Sequence, residues 1–387
     1  MTKKVLFVAN TAKKHICHFQ LPYMKWFQEH GYAVHVCAGD DFEEMDDHTI
    51  PYCDRFFPVA FQRSPFHPVN LLAFFQLKKV LRENDYALVH CHTPVAAALT
   101  RVAARRIRRQ KKSVVLYTAH GFHFYQGAPK FNRLYYWIEK FLIPDTDGLI
   151  TINGEDYIAA KQMCKSKPCK VWYVPGVGVE TGKIARTKID RAQLREQFGI
   201  PKDAFTLLSV SELNKNKNLK TTISAVSKLK DDDIYYLICG SGSLMKYYQL
   251  LAAKLNIRDH VIFAGYRRDI YKIVHIADAF LFPSIREGLG RAALEAMSAG
   301  VPVIASDIRG VREYGINMWN SILLRPNDID GYASAIRTLQ QDTDFRRRLG
   351  ENALHSVAPF DIEKSRIAME EVYKAYDNIG LAEEAPS

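Results

Sequence analysis

The stretch "SIREGLGRAALEAMSAG", Ser284 to Gly300, carries two carboxylates, Glu287 and Glu295, eight positions apart. Gly288, Leu289 and Gly290 lie between them, followed by a run of helix formers. The apolar "AFLFPS" just before reads as a buried strand, so Ile285 to Gly290 is the loop at its carboxyl end. Gly288 and Gly290 let the backbone approach a ligand without Cβ interference. The free N–H groups of the following helix suit a diphosphate. Glu287 at the loop mouth can accept hydrogen bonds from hydroxyls, and Glu295, about 1.5 turns into the helix, can still reach the same ligand. Carboxylates on either side of a phosphate cradle fit a molecule with hydroxyls at both ends and phosphate in the middle, as in a nucleotide-diphosphate sugar. A surface glutamate beside a first-turn glutamate is the plainer alternative.

Such a loop needs a rigid frame, and the rest of the chain supplies one. Its 387 residues, 48% hydrophobic and 25% charged, exceed one ordinary core. Apolar strands at 5–10, 33–39, 87–92, 113–120, 148–153 and 171–176 alternate with helical patterns. The alternation restarts at 206–213, 235–242, 261–266, 279–284, 302–307 and 321–326. This pattern predicts two doubly wound parallel sheets, joined by the poorly patterned "VETGKIARTKIDRAQ". Ligands of such sheets bind at the carboxyl ends of strands, and two facing domains would make a cleft.

Other chemistry is argued against. The seven cysteines are scattered without a CxxC pair, as in a reducing compartment. In His90-Cys91-His92 only the histidines share a strand face, and no matching group lies nearby in sequence, so no metal site is expected. "GVGVETG" and "GSGSL" lack the dinucleotide G-x-G-x-x-G spacing. Net charge is +11. Through Gly178 there are 24 basic against 15 acidic residues, so most of the excess sits in the first half. No nucleic-acid motif accompanies it, which favours an anionic membrane surface or a phosphorylated substrate over nucleic acid, with a simply well-solvated half as the plainer alternative. The segments "RVAARRIRRQKK" (101–112) and "KFNRLYYWIEKFLI" (130–143) are basic and aromatic in a way that suits interfacial binding. A solvated helix end and an ordinary buried helix are the alternatives. No run is apolar enough to span a bilayer and no signal peptide is evident, so a cytoplasmic location is expected.

The stretch "PSIREGLGRAALEAMSAGVPVIASDIRGVREY" closely resembles the retaining glycosyltransferases of family 4, which have the GT-B fold of two Rossmann-like domains with a cleft between them. "YVPGVGVE", "ICGSGSL", "VIFAGY" and "NSILLRP" match too, so the resemblance covers nearly the whole chain. "YTAHGFHFY" and "ITINGEDYIAAK" are similar to enzymes of capsule and exopolysaccharide clusters. The resemblance implies an N-terminal acceptor domain over 1–180 and a donor domain over 181–360. It also implies a last helix, 361–378, that crosses back to the first domain; the closing "GLAEEAPS", 380–387, reads by itself as a disordered tail. Glu287 would lie beside the donor sugar, Glu295 on the ribose, and Gly240 and Gly242 in the donor site.

The family's R-x4-K diphosphate clamp falls on "SELNKNKNLKT": Lys217 matches the lysine, but Glu212 stands where arginine is usual, and Lys215 is the available substitute. Lys217 could otherwise be a solvated loop lysine. His120 matches the donor-proximal histidine, with His123 as competitor, and a structural histidine at a strand end is the alternative. His18 and Lys13 or Lys14 could touch phosphate. The implied reaction moves a sugar from a UDP-sugar to a polyprenyl-diphosphate-linked saccharide, at the inner membrane face, with no metal or other cofactor. A phosphorylase, a sugar-nucleotide epimerase or a non-catalytic synthase partner are the rival readings.

Overall fold

The computed structural model describes residues 2–43, 48–111, 113–125 and 127–377. The expected tail at 380–387 lies outside them. The chain divides into two units. One runs to Val177 and resumes at Ser365; the other spans Gly178–Lys364.

In the first unit seven parallel strands are ordered β3-β2-β1-β4-β5-β6-β7. They are β1 Lys4–Thr11, β2 Ala33–Gly39, β3 Arg55–Pro58, β4 Leu88–His92, β5 Val114–Ala119, β6 Gly148–Thr151 and β7 Lys170–Tyr173. Alternate side chains of each strand feed opposite faces. Leu6, Val8, Val89 and Val115 pack under the helices Val69–Glu83 and Pro94–Lys111. Val5, Phe7, Val34 and Leu116 pack on the other face with Met24, Phe27 and Tyr373. Tyr373 belongs to the last helix, Ile362–Asp377, and its ring lies 5.6 Å from Trp26 and 4.6 Å from Phe27. A segment distant in sequence thus completes this core. Buried on both faces, these strands read as continuous apolar runs. The two edge strands are more exposed: β7 still carries the apolar run Val171–Tyr173, whereas β3, four residues ending in proline, has no such signal.

The second unit has six parallel strands ordered β10-β9-β8-β11-β12-β13. They are β8 Phe205–Val210, β9 Ile234–Cys239, β10 Val261–Gly265, β11 Ala279–Phe282, β12 Val303–Ser306 and β13 Ser321–Leu324. The segment read as an unpatterned linker instead contains the helix Thr181–Arg186 and the start of the helix Arg191–Glu196. The Asp190 side chain caps the second by accepting from the Gln193 amide. Its Arg195 is buried, bonding the carbonyls of Ile276, Lys202 and Ala204 and the carboxylate of Asp278. These contacts are long-range, so local patterning could not show them.

Candidate functional site

In the second unit β8 stands between β9 and β11, where the strand order reverses. The loops after these strands therefore share one end of the sheet, the usual ligand position of an open α/β sheet. The loop after β8 is held by Asn214, whose side-chain oxygen accepts from the amides of Asn216 and Lys217. Asn216 then joins the loop after β11: its carbonyl accepts from the Ile285 amide at 2.8 Å and its amide donates to the Arg286 carbonyl at 2.8 Å. The two loops are thereby locked together.

This lock brings Lys217 and Glu287 into contact. The Lys217 ammonium donates to Glu287 Oε1 at 2.6 Å, with the two side chains 22% and 14% exposed. The same ammonium lies 5.7 Å from the Phe282 ring centre. Gly290 follows with φ +89°, heading the helix Arg291–Ser298. A Cβ there would come within 2.9 Å of the Phe282 ring, and Tyr314 stands behind, its hydroxyl 3.4 Å from the Gly290 carbonyl. Leu289 is buried beneath the turn, while Gly288 is half-buried. Glu295, on the helix, faces Arg291 at 3.5 Å, and burial raises its carboxyl above the usual range against the pull of that arginine.

Gly240 follows β9 with φ +143°, and its missing Cβ would overlap the Ser211 carbonyl at 1.8 Å. Gly242 lies similarly close to Leu213. Both glycines therefore serve the packing of the loop that carries Lys217. Lys215 is exposed on that loop. Glu212 is exposed too, and accepts from Asn214 Nδ2 at 3.0 Å. The residue that replaces the family arginine thus steadies the asparagine that caps the lysine turn. Asn214, Asn216, Arg291 and Tyr314 were missed in the sequence; the N-x-N spacing of the first two was the available signal.

In the first unit His120 follows β5. Its Nε2 lies 3.3 Å from Nδ1 of His92, and its ring centre is 4.9 Å from that of His15. Burial lowers its pKa to about 4, so the ring is neutral. The other two candidate histidines lie apart from this pairing. His123 packs on Tyr135 at 4.9 Å, and exposed His18 donates through Nδ1 to the Lys13 carbonyl. His123 and His15 help line a pocket of about 430 Å³. Its polar wall includes Asn10, Lys14, Arg63 and Asn70, and its apolar wall includes Val95, Leu99 and Ile138.

The basic segment 101–112 is not the free cationic face that its composition suggested. Arg101 is buried against Glu139 at 2.8 Å, Arg105 pairs with Asp145 at 2.7 Å, and Arg108 grips Asp147 through two N–H groups. Arg106 and Arg109 are exposed, whereas the side chains of Lys111 and Lys112 lie outside the described residues. The helix Arg133–Leu142 turns its apolar side outward: Phe131 just before it, Trp137 and Phe141 are 62%, 58% and 67% exposed. Among the described residues no helix is long and apolar enough to cross a membrane.

Comparison with known proteins agrees with this geometry. Residues 190–356 match the family model "Glycosyl transferases group 1", and residues 4–153 match "Glycosyl transferase 4-like". EpsD of Bacillus subtilis, named as a glycosyltransferase, is 41% identical over 389 residues, covering all of both chains. The UDP-Gal:alpha-D-GlcNAc-diphosphoundecaprenol alpha-1,3-galactosyltransferase of Escherichia coli is 31% identical, covering 70% of this chain and 71% of its own. Anabaena Alr3699/HepE, solved with UDP-glucose, superimposes with a TM-score of 0.75 at 20% identity, over 96% of this chain and 99% of its own. Two parallel α/β units, both family matches and a relative similar end to end place this chain among the GT-B glycosyltransferases of the group 1, family-4-like kind.

Proposed function

We propose that this glycosyltransferase moves a hexose or N-acetylhexosamine, with retention, from a UDP-sugar to a polyprenyl-diphosphate-linked saccharide during surface polysaccharide assembly. The Escherichia coli relative's named donor and acceptor support this, as does the UDP-glucose complex of the Anabaena protein.

The donor reading rests chiefly on the Lys217–Glu287 contact at the glycine turn. In this reading Lys217 and the amides heading Arg291–Ser298 take the diphosphate, Glu287 takes sugar hydroxyls, and Glu295 takes the ribose. The anomeric C–O bond to phosphate breaks as the bond to the acceptor oxygen forms on the same face. The acceptor's proton passes to the departing phosphate oxygen. Negative charge growing on the diphosphate is met by a fixed ammonium and oriented amides, so the transfer needs no metal ion. His120, a neutral imidazole, orients the acceptor hydroxyl.

The pocket of the first unit carries the acceptor reading. Lys14 and Arg63 suit an anionic head group. The two helices that contribute Asn70 and Ile138 to its walls also expose Leu71, Leu72 and Phe75, and Trp137 and Phe141. A cationic pocket between apolar helix faces fits an amphiphile whose tail stays in a bilayer. The enzyme would dock peripherally on the cytoplasmic membrane face through these aromatics together with Lys130, Arg133, Arg106 and Arg109. The test is a panel of UDP-sugars with membrane-extracted lipid acceptors, with and without chelator, followed by UDP release and product mass. Release of UDP without a glycosylated lipid, or strict dependence on added metal, would overturn the respective part.

A further inference from the structure

Three histidines from three separate strand ends meet in the first unit. His15 lies in the π-helical turn Ala12–Ile16 after β1, His92 ends β4, and His120 follows β5. Because β1, β4 and β5 are consecutive in the sheet, these ends are neighbours. The ring centres form a nearly equilateral triangle of 4.9, 5.4 and 5.5 Å. One ring nitrogen from each lies within 4.8 Å of the others.

The hydrogen bonding around them is incomplete. His15 Nε2 and His92 Nε2 are buried without a hydrogen-bond partner. His90, on the same strand as His92, is the instructive contrast. Its Nδ1 bonds the Tyr373 hydroxyl at 2.9 Å and its Nε2 the Thr118 hydroxyl at 2.8 Å. His90 is satisfied at both ring nitrogens, whereas His15 and His92 each keep one buried nitrogen without a partner. His15 and His92 are only 9% and 1% exposed, and imidazole nitrogen is a common ligand of transition-metal ions. The 3.3 Å between His92 Nδ1 and His120 Nε2 is long for a nitrogen–nitrogen hydrogen bond. It is close to the edge, about 3.3 Å, of a tetrahedron with metal–nitrogen bonds of about 2.0 Å.

We propose that His15, His92 and His120 form a binding site for a borderline divalent transition ion of the zinc class, with at least one coordination position left to water or another ligand. Three imidazoles without a thiolate or a carboxylate favour such an ion over magnesium or calcium, which take oxygen ligands. The site plays no part in stabilising the departing diphosphate. Its consequence, which rests on the acceptor reading above, is inhibitory. An ion there ties up His120 and draws His15 from the wall of the pocket.

The test uses the full-length, untagged chain after chelator dialysis. Zinc is titrated calorimetrically and cobalt is followed by visible absorption. One equivalent should bind, and cobalt should give the intense bands of a tetrahedral nitrogen site. His15→Asn should weaken zinc binding at least tenfold, whereas exposed His355→Asn should not. Circular dichroism and thermal melting check that His15→Asn is folded, and the wild-type cobalt spectrum needs no variant at all. Absence of a stoichiometric site in the wild type, an octahedral cobalt spectrum, or undiminished binding by folded His15→Asn would overturn the proposal. Transfer activity reports on the acceptor reading separately: zinc that binds at one equivalent without inhibiting removes His120 from acceptor handling and leaves the metal site standing.

Discussion

Opposite substitutions at the Lys217–Glu287 pair should move UDP binding in opposite directions. The ammonium sits 2.6 Å from Glu287 Oε1 at a partly exposed position, so a diphosphate entering the glycine turn must share or take that cation. A hydrogen bond between charged groups contributes roughly 1.5–3 kcal/mol. Solvent screening at this exposure argues for the lower half of that range. Lys217→Met should therefore weaken UDP on the order of tenfold to fiftyfold. It also leaves Glu287 facing the diphosphate with its charge uncompensated, which adds repulsion. Glu287→Gln removes the acid that competes for the ammonium. UDP affinity should then hold or improve a few-fold, while turnover falls on the order of tenfold to a hundredfold because the sugar loses a charge-assisted contact. The double variant should bind UDP better than Lys217→Met alone, with a coupling of about 1 kcal/mol. Calorimetry with UDP and with uridine reads all of this. Uridine lacks the phosphates and should lose almost nothing in any variant. If Glu287→Gln weakens UDP as much as Lys217→Met does, or if uridine loses equally, the pair holds the loops together rather than serving the donor.

Glu295→Ala should weaken UDP and uridine alike, and calorimetry showing both unchanged would remove Glu295 from the ribose. Gly290→Ala forces a side chain into a left-handed turn 2.9 Å from the Phe282 ring, and urea unfolding should show a loss of about 1–3 kcal/mol; a loss under about 0.5 kcal/mol would mean that the turn rearranges freely. Glu212→Arg gives up one exposed hydrogen bond to Asn214 and adds a cation near the diphosphate, so UDP should tighten several-fold, and weaker binding would show that the turn depends on Glu212. Vesicle flotation should show binding to anionic lipid that falls with salt and with Trp137→Ser/Phe141→Ser, while Arg105→Gln should act through stability because that cation is already paired; indifference to anionic vesicles at low salt would refute peripheral docking.

Much of the glycine loop after β11 was legible because its parts are local. The glutamates, the glycines between them and the following helix lie within 17 residues, and a strand-loop-helix pattern fixes their order. Twelve of the thirteen strands among the described residues were legible too, since a strand covered on both faces is apolar throughout and even the partly exposed β7 and β10 keep apolar runs. Chain order also left Glu212 visible as a departure from the family pattern. What it could not show was which side chains meet. Lys217 and Glu287 are 70 residues apart and become partners only because β8 and β11 are neighbours in the sheet. The sequence reading weighed only His90-Cys91-His92 and found no matching group nearby, because His15 and His120 stand far from His92 along the chain; the order β1-β4-β5 puts their strand ends side by side. Composition marked residues 101–112 as a basic surface, yet a charge count carries no direction, and the acids that Arg101, Arg105 and Arg108 face come from residues 139–147. Sequence alone therefore determined most element types and the local strand-loop-helix with its glycine turn, through periodicity and glycine placement. Only the tertiary structure decided the ion pairs, the buried imidazoles and the outward face of the aromatic helix, because each depends on strand order and helix rotation, which are settled by burying apolar faces from distant parts of the chain at once.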